Sequence, residues 1–303
     1  MRVLIAGGTG LIGHTLASRL LASGDTVMVL SRNPATTRPM PAGTELHPWD
    51  ARSSRGWAPL VEESDAVINL AGENLSSGRW TSARKRRILE SRRLGGVALT
   101  EGIRGARRKP RVLVQASAVG YYGTERNDLL QEASLPGKDF LAQVCTAWEA
   151  STVEVEAMGV RRIVTRMAVV LSRDGGAFVP LYYQARLFAA GRLGSGRQPF
   201  PWIHMADAVE AIRFLLIEER AHGVYNLVAP EIPTNAEFVH SLARRLRRPA
   251  ILWVPAPVLR LVLGELAGTL LEGQRPSCQR LTELGFGFRF PGVKEALRDL
   301  LHG

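Results

Sequence analysis

The chain has 303 residues, 46% of them hydrophobic, enough for one large α/β domain with a smaller appendage and too many for a disordered polymer. Its two cysteines, Cys145 and Cys278, stand far apart without ligand spacing, which argues against a disulfide framework or a zinc site and suits a reducing cytoplasm. A net charge of +11 suggests nucleic acid until it is mapped: residues 79–111 hold twelve basic residues against two acidic ones, and the rest of the chain is nearly neutral.

In chain order, residues 3–6 form a short apolar run, and 11–22 carry helical periodicity through Leu11, Ile12, Leu16, Leu20 and Leu21. Gly24 and Asp25 end that helix, and 26–30 is a β-branched strand. The first strand runs straight into a glycine loop, so no secretory leader is expected. Further buried strands are predicted at 66–70, 112–117, 163–171 and 224–228, most of them separated by helix-length segments. Continuous apolar strands alternating with helices predict an α/β fold of Rossmann type. Its doubly wound parallel sheet would place the ligand crevice at the carboxyl ends of the strands.

The basic segment 79–111 contains Trp80 but no regular aromatic interleaving. It reads as a solvated helix face, with an acidic partner or a membrane surface as alternatives, and it argues against nucleic acid. From residue 174 the pattern loosens, punctuated by Gly175, Gly176, Gly191, Gly194, Gly196, Pro199 and Pro201. Helical patterns follow at 206–219, 236–246, 258–271 and 293–301. The most apolar stretch, 251–271, is interrupted by Pro255, Pro257, Arg260 and Glu265. It lacks the roughly 20 unbroken apolar residues of a membrane span. Residues 1–173, with contributions from around 200–230, are therefore expected to form the Rossmann domain, and 174–303 mostly a smaller substrate-side domain.

Gly7, Gly10 and Gly13 recur every third residue between the first strand and the first helix, the context in which such a pattern holds a pyrophosphate. The helix start offers free N–H groups and about half a positive charge to the phosphate. At the end of the second strand, where an NAD site carries an acid, the chain reads Leu30-Ser31-Arg32, and no carboxylate lies between Thr26 and Arg38. Arg32 can pair with a 2′-phosphate and Ser31 can add a hydroxyl, so NADP(H) is expected over NAD(H). The alternative is an exposed arginine that merely starts a loop.

These residues, together with Asn69-Leu70-Ala71-Gly72-Glu73-Asn74, Ser117-Ala118-Val119-Gly120-Tyr121-Tyr122-Gly123, Trp148-Glu149, Pro201-Trp202-Ile203-His204 and the tail runs at 271–274 and 285–286, resemble the extended short-chain dehydrogenase/reductases. Most similar is the atypical, nucleoside-diphosphate-sugar epimerase-like group with a C-terminal domain of unknown function. The resemblance implies cofactor contacts from Gly7, Thr9, Gly10, Leu11, Ile12, Gly13, Ser31, Arg32, Leu70, Ala71, Gly72 and Ala116.

It also implies a serine with a Tyr-x-x-x-Lys pair. Ser117 matches the serine, but counting back from Glu149 puts Leu141 and Cys145 where tyrosine and lysine belong. Tyr122, just past the serine strand, is then the candidate proton donor, with an aromatic wall of the cleft as the alternative. His204 is expected to orient backbone at the domain junction, and Glu149 to be a surface group or a buried anchor. Phe200-Pro201-Trp202 stands where sugar-nucleotide epimerases carry a pyrophosphate-gripping arginine, which argues against a diphosphate sugar. A smaller, more apolar carbonyl or alcohol fits better, in an aromatic cleft of Tyr121, Tyr122, Trp202 and Phe200.

The expectation is thus an NADP(H)-binding oxidoreductase-like protein without a metal. The alternative is a catalytically weak NADP(H)-sensing or partner-binding protein that uses the basic segment. A homodimer is compatible with either.

Overall fold

A computed structural model describes residues 1–35, 39–75, 78–124 and 128–302. β1 (Arg2–Ala6), α1 (Leu11–Ala22) and β2 (Thr26–Ser31) make the first βαβ unit, and β3 (Thr44–Pro48) lies beyond β2 at the sheet edge. α2 (Pro59–Glu63) leads to β4 (Ala66–Asn69), and α3 (Ser82–Gly105) crosses to β5 (Val112–Ala118), which runs directly into a 3-10 turn at Val119–Tyr122. After β6 (Leu129–Leu130), α4 (Phe140–Ala150) crosses to β7 (Arg161–Met167). The chain then leaves this sheet through β8 (Val169–Ser172), β9 (Gly175–Gly176), α5 (Phe178–Arg186), β10 (Gly191–Leu193) and β11 (Trp202–His204). It returns along α6 (Met205–Ile217) to β12 (Gly223–Leu227). The tail holds α7 (Asn235–Arg245), β13 (Leu252–Val254), α8 (Ala256–Leu263), α9 (Leu266–Leu271), β14 (Arg275–Pro276), α10 (Gln279–Glu283) and α11 (Val293–His302).

Seven strands form one parallel sheet in the order β12-β7-β5-β4-β1-β2-β3. Alternate residues point to opposite faces. Val3, Ile5, Val27, Val29, Ile68 and Val114 meet α1 and α6, while Leu4, Met28, Leu30, Val67 and Leu113 meet the Ala98, Leu99 and Ile103 face of α3. Register aligns Ala6 with Leu30 and Asn69, Asn69 with Gln115, and Ser117 with Arg166. The residues expected to carry chemistry therefore arrive at one edge, at the carboxyl ends of the strands.

Two predicted elements are divided. The run 163–171 is two strands, because Ala168 N–H still donates to Leu227 O while Val169 N–H has turned to Pro201 O, starting the β8–β11 pair. The helix predicted over 258–271 breaks at Gly264, whose φ of +62° is left-handed and closes α8 before α9 begins. β3 was not predicted: as an edge strand it buries no residue fully and shows no apolar run. The tail is fastened to the sheet layer by Asp207 on α6, whose carboxylate accepts from the amides of Arg289 and Phe290 at 2.9 Å each.

Candidate functional site

The glycine turn is built by contact distances that admit no side chain. A Cβ on Gly7, whose φ is +81°, would sit 2.8 Å from the Ala71 amide nitrogen, and one on Gly13 would sit 2.5 Å from Gly7 O. The turn is thus pressed between the first turn of α1 and the Leu70–Gly72 segment. α1 starts at Gly10 without a side-chain cap and without an acid in its first turn, so the amides of Leu11, Ile12 and Gly13 face outward unpaired within the helix. Thr9 is half-buried beside them. An open concavity of amides at the end of β1 suits a pyrophosphate by geometry and by charge.

At the end of β2, Ser31 is buried and its Oγ accepts from the Asn33 amide at 3.2 Å. Arg32 is exposed and has no partner among the described residues. A guanidinium left unpaired beside an amide cradle fits an added phosphate on the adenosine half.

On the other side of β1, the end of β4 is braced by hydrogen bonds. Leu70 N–H donates to Ala6 O at 2.8 Å, Ala71 N–H to Asn69 Oδ1 at 3.2 Å, and Asn69 Nδ2 to Gln115 Oε1 at 2.9 Å. Gly72 is in contact with Arg92, whose guanidinium carbon would lie 2.9 Å from a Cβ there. Arg92 is buried, donates to the carbonyls of Glu73 and Ile88, and lies 5.0 Å over the Trp148 ring, and burial holds its pKa below the usual arginine value. Ala116 is buried in β5 opposite Thr165, on the strand that ends in Ser117.

Ser117 opens a buried network that periodicity did not reveal. Its Oγ donates to Glu149 Oε1 at 2.6 Å. The same carboxylate takes a fork from Arg166, Nε to Oε1 and Nη2 to Oε2, both 2.9 Å. Arg166 Nη1 donates to the Tyr122 hydroxyl at 3.1 Å and to Glu132 O at 3.0 Å, and its guanidinium carbon lies 3.3 Å from the Tyr121 ring centroid. The Tyr122 hydroxyl, fully buried, donates to Asn226 Oδ1 at 2.7 Å, so the proton expected to reach substrate is held inside the fold, and burial raises its pKa above the usual phenol value. Glu149 is therefore a buried hydrogen-bond anchor. Arg166, Asn226 and Glu132 were missed altogether; a charged residue at the close of the apolar 163–167 strand was the one available signal.

Leu141 and Cys145 do face the Ser117 turn, lying 3.3 Å and 4.0 Å from where a Gly120 Cβ would be. Burial, with the Glu149 charge beside it, pushes the Cys145 thiol up to about 11, so it supplies neither a cation nor a ready thiolate. Leu141 opens instead onto a cleft of about 450 Å³ lined by Trp80, Asp139 and Phe140 on the sheet side and by Arg260, Gly264 and Thr269 on the tail side. Trp80 and Phe140 pack edge to face at 5.3 Å. Trp202 and Phe200 do not form the aromatic wall expected of them. Trp202 is fully buried with its Nε1 donating to Glu231 O, and Phe200 packs on Phe238 at 4.5 Å, because β11 runs through a second core, built away from the seven-stranded sheet by α5, α7 and α11, rather than along the cleft.

His204 caps α6, its Nδ1 accepting from Ala206 N at 3.2 Å while its Nε2 lies 3.3 Å from Asp299, and burial pushes its pKa down to about 4. In the basic segment, Lys85 pairs with Glu265, Arg104 with Glu154, Arg107 with Glu62 and Arg108 with Asp65, while Lys109 donates to the carbonyls of Arg104 and Ala106. Part of that charge is thus met at the surface by carboxylates of the same chain.

Known proteins bear on this arrangement. A sequence profile described as the NAD dependent epimerase/dehydratase family matches residues 3–227, and one described as a domain of unknown function (DUF1731) matches 254–300. The chain belongs to the NAD dependent epimerase/dehydratase family.

Among family relatives, it is 36% identical to the epimerase family protein SSP1921 of Staphylococcus saprophyticus over 99% of each chain. It is 38% identical to the chloroplastic epimerase family protein SDR39U1 homolog of Arabidopsis thaliana, over 99% of this chain and 87% of that one. The crystal structure of human epimerase family protein SDR39U1 with NADPH superposes with a TM-score of 0.86 at 34% identity, covering 99% of both chains. Against the dehydrogenase pattern read from the sequence, this family member carries Leu141 and Cys145 in place of the tyrosine and lysine.

Proposed function

We propose that the chain is an NADP(H)-binding, oxidoreductase-like protein acting on a small carbonyl or alcohol. Residues 1–173, with 205–227, would form its cofactor side, and the remaining tail the far wall of the cleft. The cofactor assignment rests on the Gly7–Gly13 cradle, the unpaired Arg32 and the NADPH in the human relative's structure. Gly7, Thr9, Gly10, Leu11, Ile12 and Gly13 would surround the pyrophosphate, Ser31 and Arg32 the adenosine phosphate, and Leu70, Ala71, Gly72 and Ala116 the inner half. When bound, NADP(H) supplies or accepts the hydride.

The observation that carries the chemistry is the 2.6 Å Ser117–Glu149 hydrogen bond at the carboxyl end of β5. Ser117 is itself buried, so the substrate would have to reach its Oγ past the Gly120 turn; in the alcohol-to-carbonyl direction that oxygen would accept the substrate hydroxyl proton while passing its own to the Glu149 carboxylate, and the reverse direction would run the same relay backwards. The Arg166 fork fixes the carboxylate for that exchange and Tyr122 anchors the arginine, so Tyr122 is a positioning residue rather than the donor. The aliphatic Leu141 and aromatic Phe140 and Trp80 favour an apolar substrate body.

The test is NADPH consumption over a broad carbonyl panel with wild type and Ser117→Ala. The reading predicts a kcat lower by about 10²- to 10⁴-fold in the variant with cofactor affinity retained. Equal kcat values would remove Ser117 from the chemistry. Leu141 and Cys145 support a second reading, an NADP(H)-sensing protein with weak catalysis. Tight NADPH binding with no turnover of any carbonyl by the wild type would select it.

A further inference from the structure

Beside the cleft, β13 and α8 present apolar side chains to solvent. Ile251 is 80%, Leu261 76% and Trp253 58% exposed, with Leu252, Val258 and Val262 beside them in sequence. None of the eight residues of α8 is buried, although most are Val or Leu. The face continues across the β10–β13 pair. Trp253 Nε1 donates to Gly194 O at 2.8 Å, the Arg192 guanidinium lies 5.9 Å over the Trp253 ring, and Arg248 lies 4.4 Å over the exposed Phe188 ring. Contiguous apolar surface of this kind marks a docking site on a soluble domain.

The charge around it is mostly basic, and the adjacent Glu265 is taken by Lys85. From Phe238 to Gly264 the chain holds Arg244, Arg245, Arg247, Arg248 and Arg260 and no acid, and from Val179 to Ala206 it holds Arg186, Arg192 and Arg197 and no acid. Arg244, Arg245 and Arg247 are exposed and have no partner among the described residues. A second copy docking here would set arginines against arginines, with no carboxylate from either stretch to pair them.

We propose that this face docks on an anionic lipid bilayer surface, its arginines meeting headgroup phosphates while Trp253, Ile251 and Leu261 enter the boundary between headgroups and acyl chains. An apolar centre with an arginine rim is the pattern of an interfacial element, and an indole suits that depth. Among the described residues no helix is long and apolar enough to cross a membrane, so the contact is peripheral. Because Arg260 and Gly264 also line the cleft, docking sets the cleft mouth beside the lipid surface.

The purified full chain is sedimented with vesicles of phosphatidylcholine containing about 30% phosphatidylglycerol, and with pure phosphatidylcholine, at about 0.1 M salt. The expected result is binding to the anionic vesicles alone, weakening as salt rises. Combined Arg244→Glu, Arg245→Glu and Arg247→Glu should weaken it on the order of a hundredfold or more, since each basic residue near the surface is worth about a factor of five. Trp253→Ser with Leu261→Asp should abolish it while circular dichroism and the thermal midpoint stay unchanged. Binding to neither vesicle, equal binding to both, or a solution dimer dissociated by Leu261→Asp would each overturn the proposal, the last assigning the face to a second copy.

Discussion

At the scale of single residues, the cofactor choice turns on Arg32. Its guanidinium is exposed at the end of β2 and has no partner among the described residues, whereas a bound 2′-phosphate would give it charge-assisted hydrogen bonds. Replacing it by aspartate removes that fork and adds a repelling charge. Arg32→Asp should weaken NADPH by on the order of 10- to 100-fold or more by titration calorimetry, and NADH by far less. Equal losses for the two cofactors would contradict the assignment. Among the residues of the buried network, Ser117 and Tyr122 were identifiable by motif. Glu149 was visible as a residue but its role was not, because only the fold brings Arg166 from a neighbouring strand to its carboxylate.

At the scale of elements, the first βαβ unit was legible because strand, turn and helix are local: apolar runs with periods of two and 3.6 flank glycines at fixed spacing. The same locality makes the turn fragile. Gly13→Ala would push a methyl group to 2.5 Å from Gly7 O, and neither partner is a flexible side chain. The variant should lose NADPH binding, and denaturant unfolding should show a destabilisation of about 1–3 kcal/mol from the displaced turn. Unchanged affinity would mean that the turn is not the pyrophosphate cradle. The strand 163–171 and the helix 258–271 were misread as single elements for a different reason. Their apolar patterns are continuous, while the breaks at Ala168 and Gly264 are set by which partner strand takes the next hydrogen bond and by one left-handed glycine.

For the whole molecule, the contact between the start of α6 and α11 ties stability to pH. His204 is neutral in the fold, its pKa lowered from 6.5 to about 4 by burial, with Asp299 and Arg289 as the charges nearest it. In the unfolded chain it takes up a proton below about 6.5. The unfolded state then binds more protons between those values, so the stability tied to His204 is full above pH 6.5 and is lost as pH falls toward 4, by an amount on the order of 3 kcal/mol. Asp207, its pKa raised by burial, works in the opposite sense at lower pH, where stability falls as the carboxylate ionises. His204→Asn keeps a helix-capping side chain and removes the titration. Unfolding in urea at pH 7.5 and pH 5 should therefore show a smaller pH dependence for the variant than for wild type. An unchanged difference would place the titrating group elsewhere.

The sequence by itself determined the class of fold, the glycine turn, the absence of a carboxylate at the end of β2 and the loss of the Tyr-x-x-x-Lys pair, since each is a statement about residue type at short, fixed spacing. Tertiary structure alone decided which side chains meet. It buried Trp202 in the second core, held the Tyr122 proton on Asn226, joined Ser117 to Glu149 and Arg166, and paired part of the basic segment with distant acids. Contacts between residues tens of positions apart depend on strand order and register, and neither is written in local periodicity.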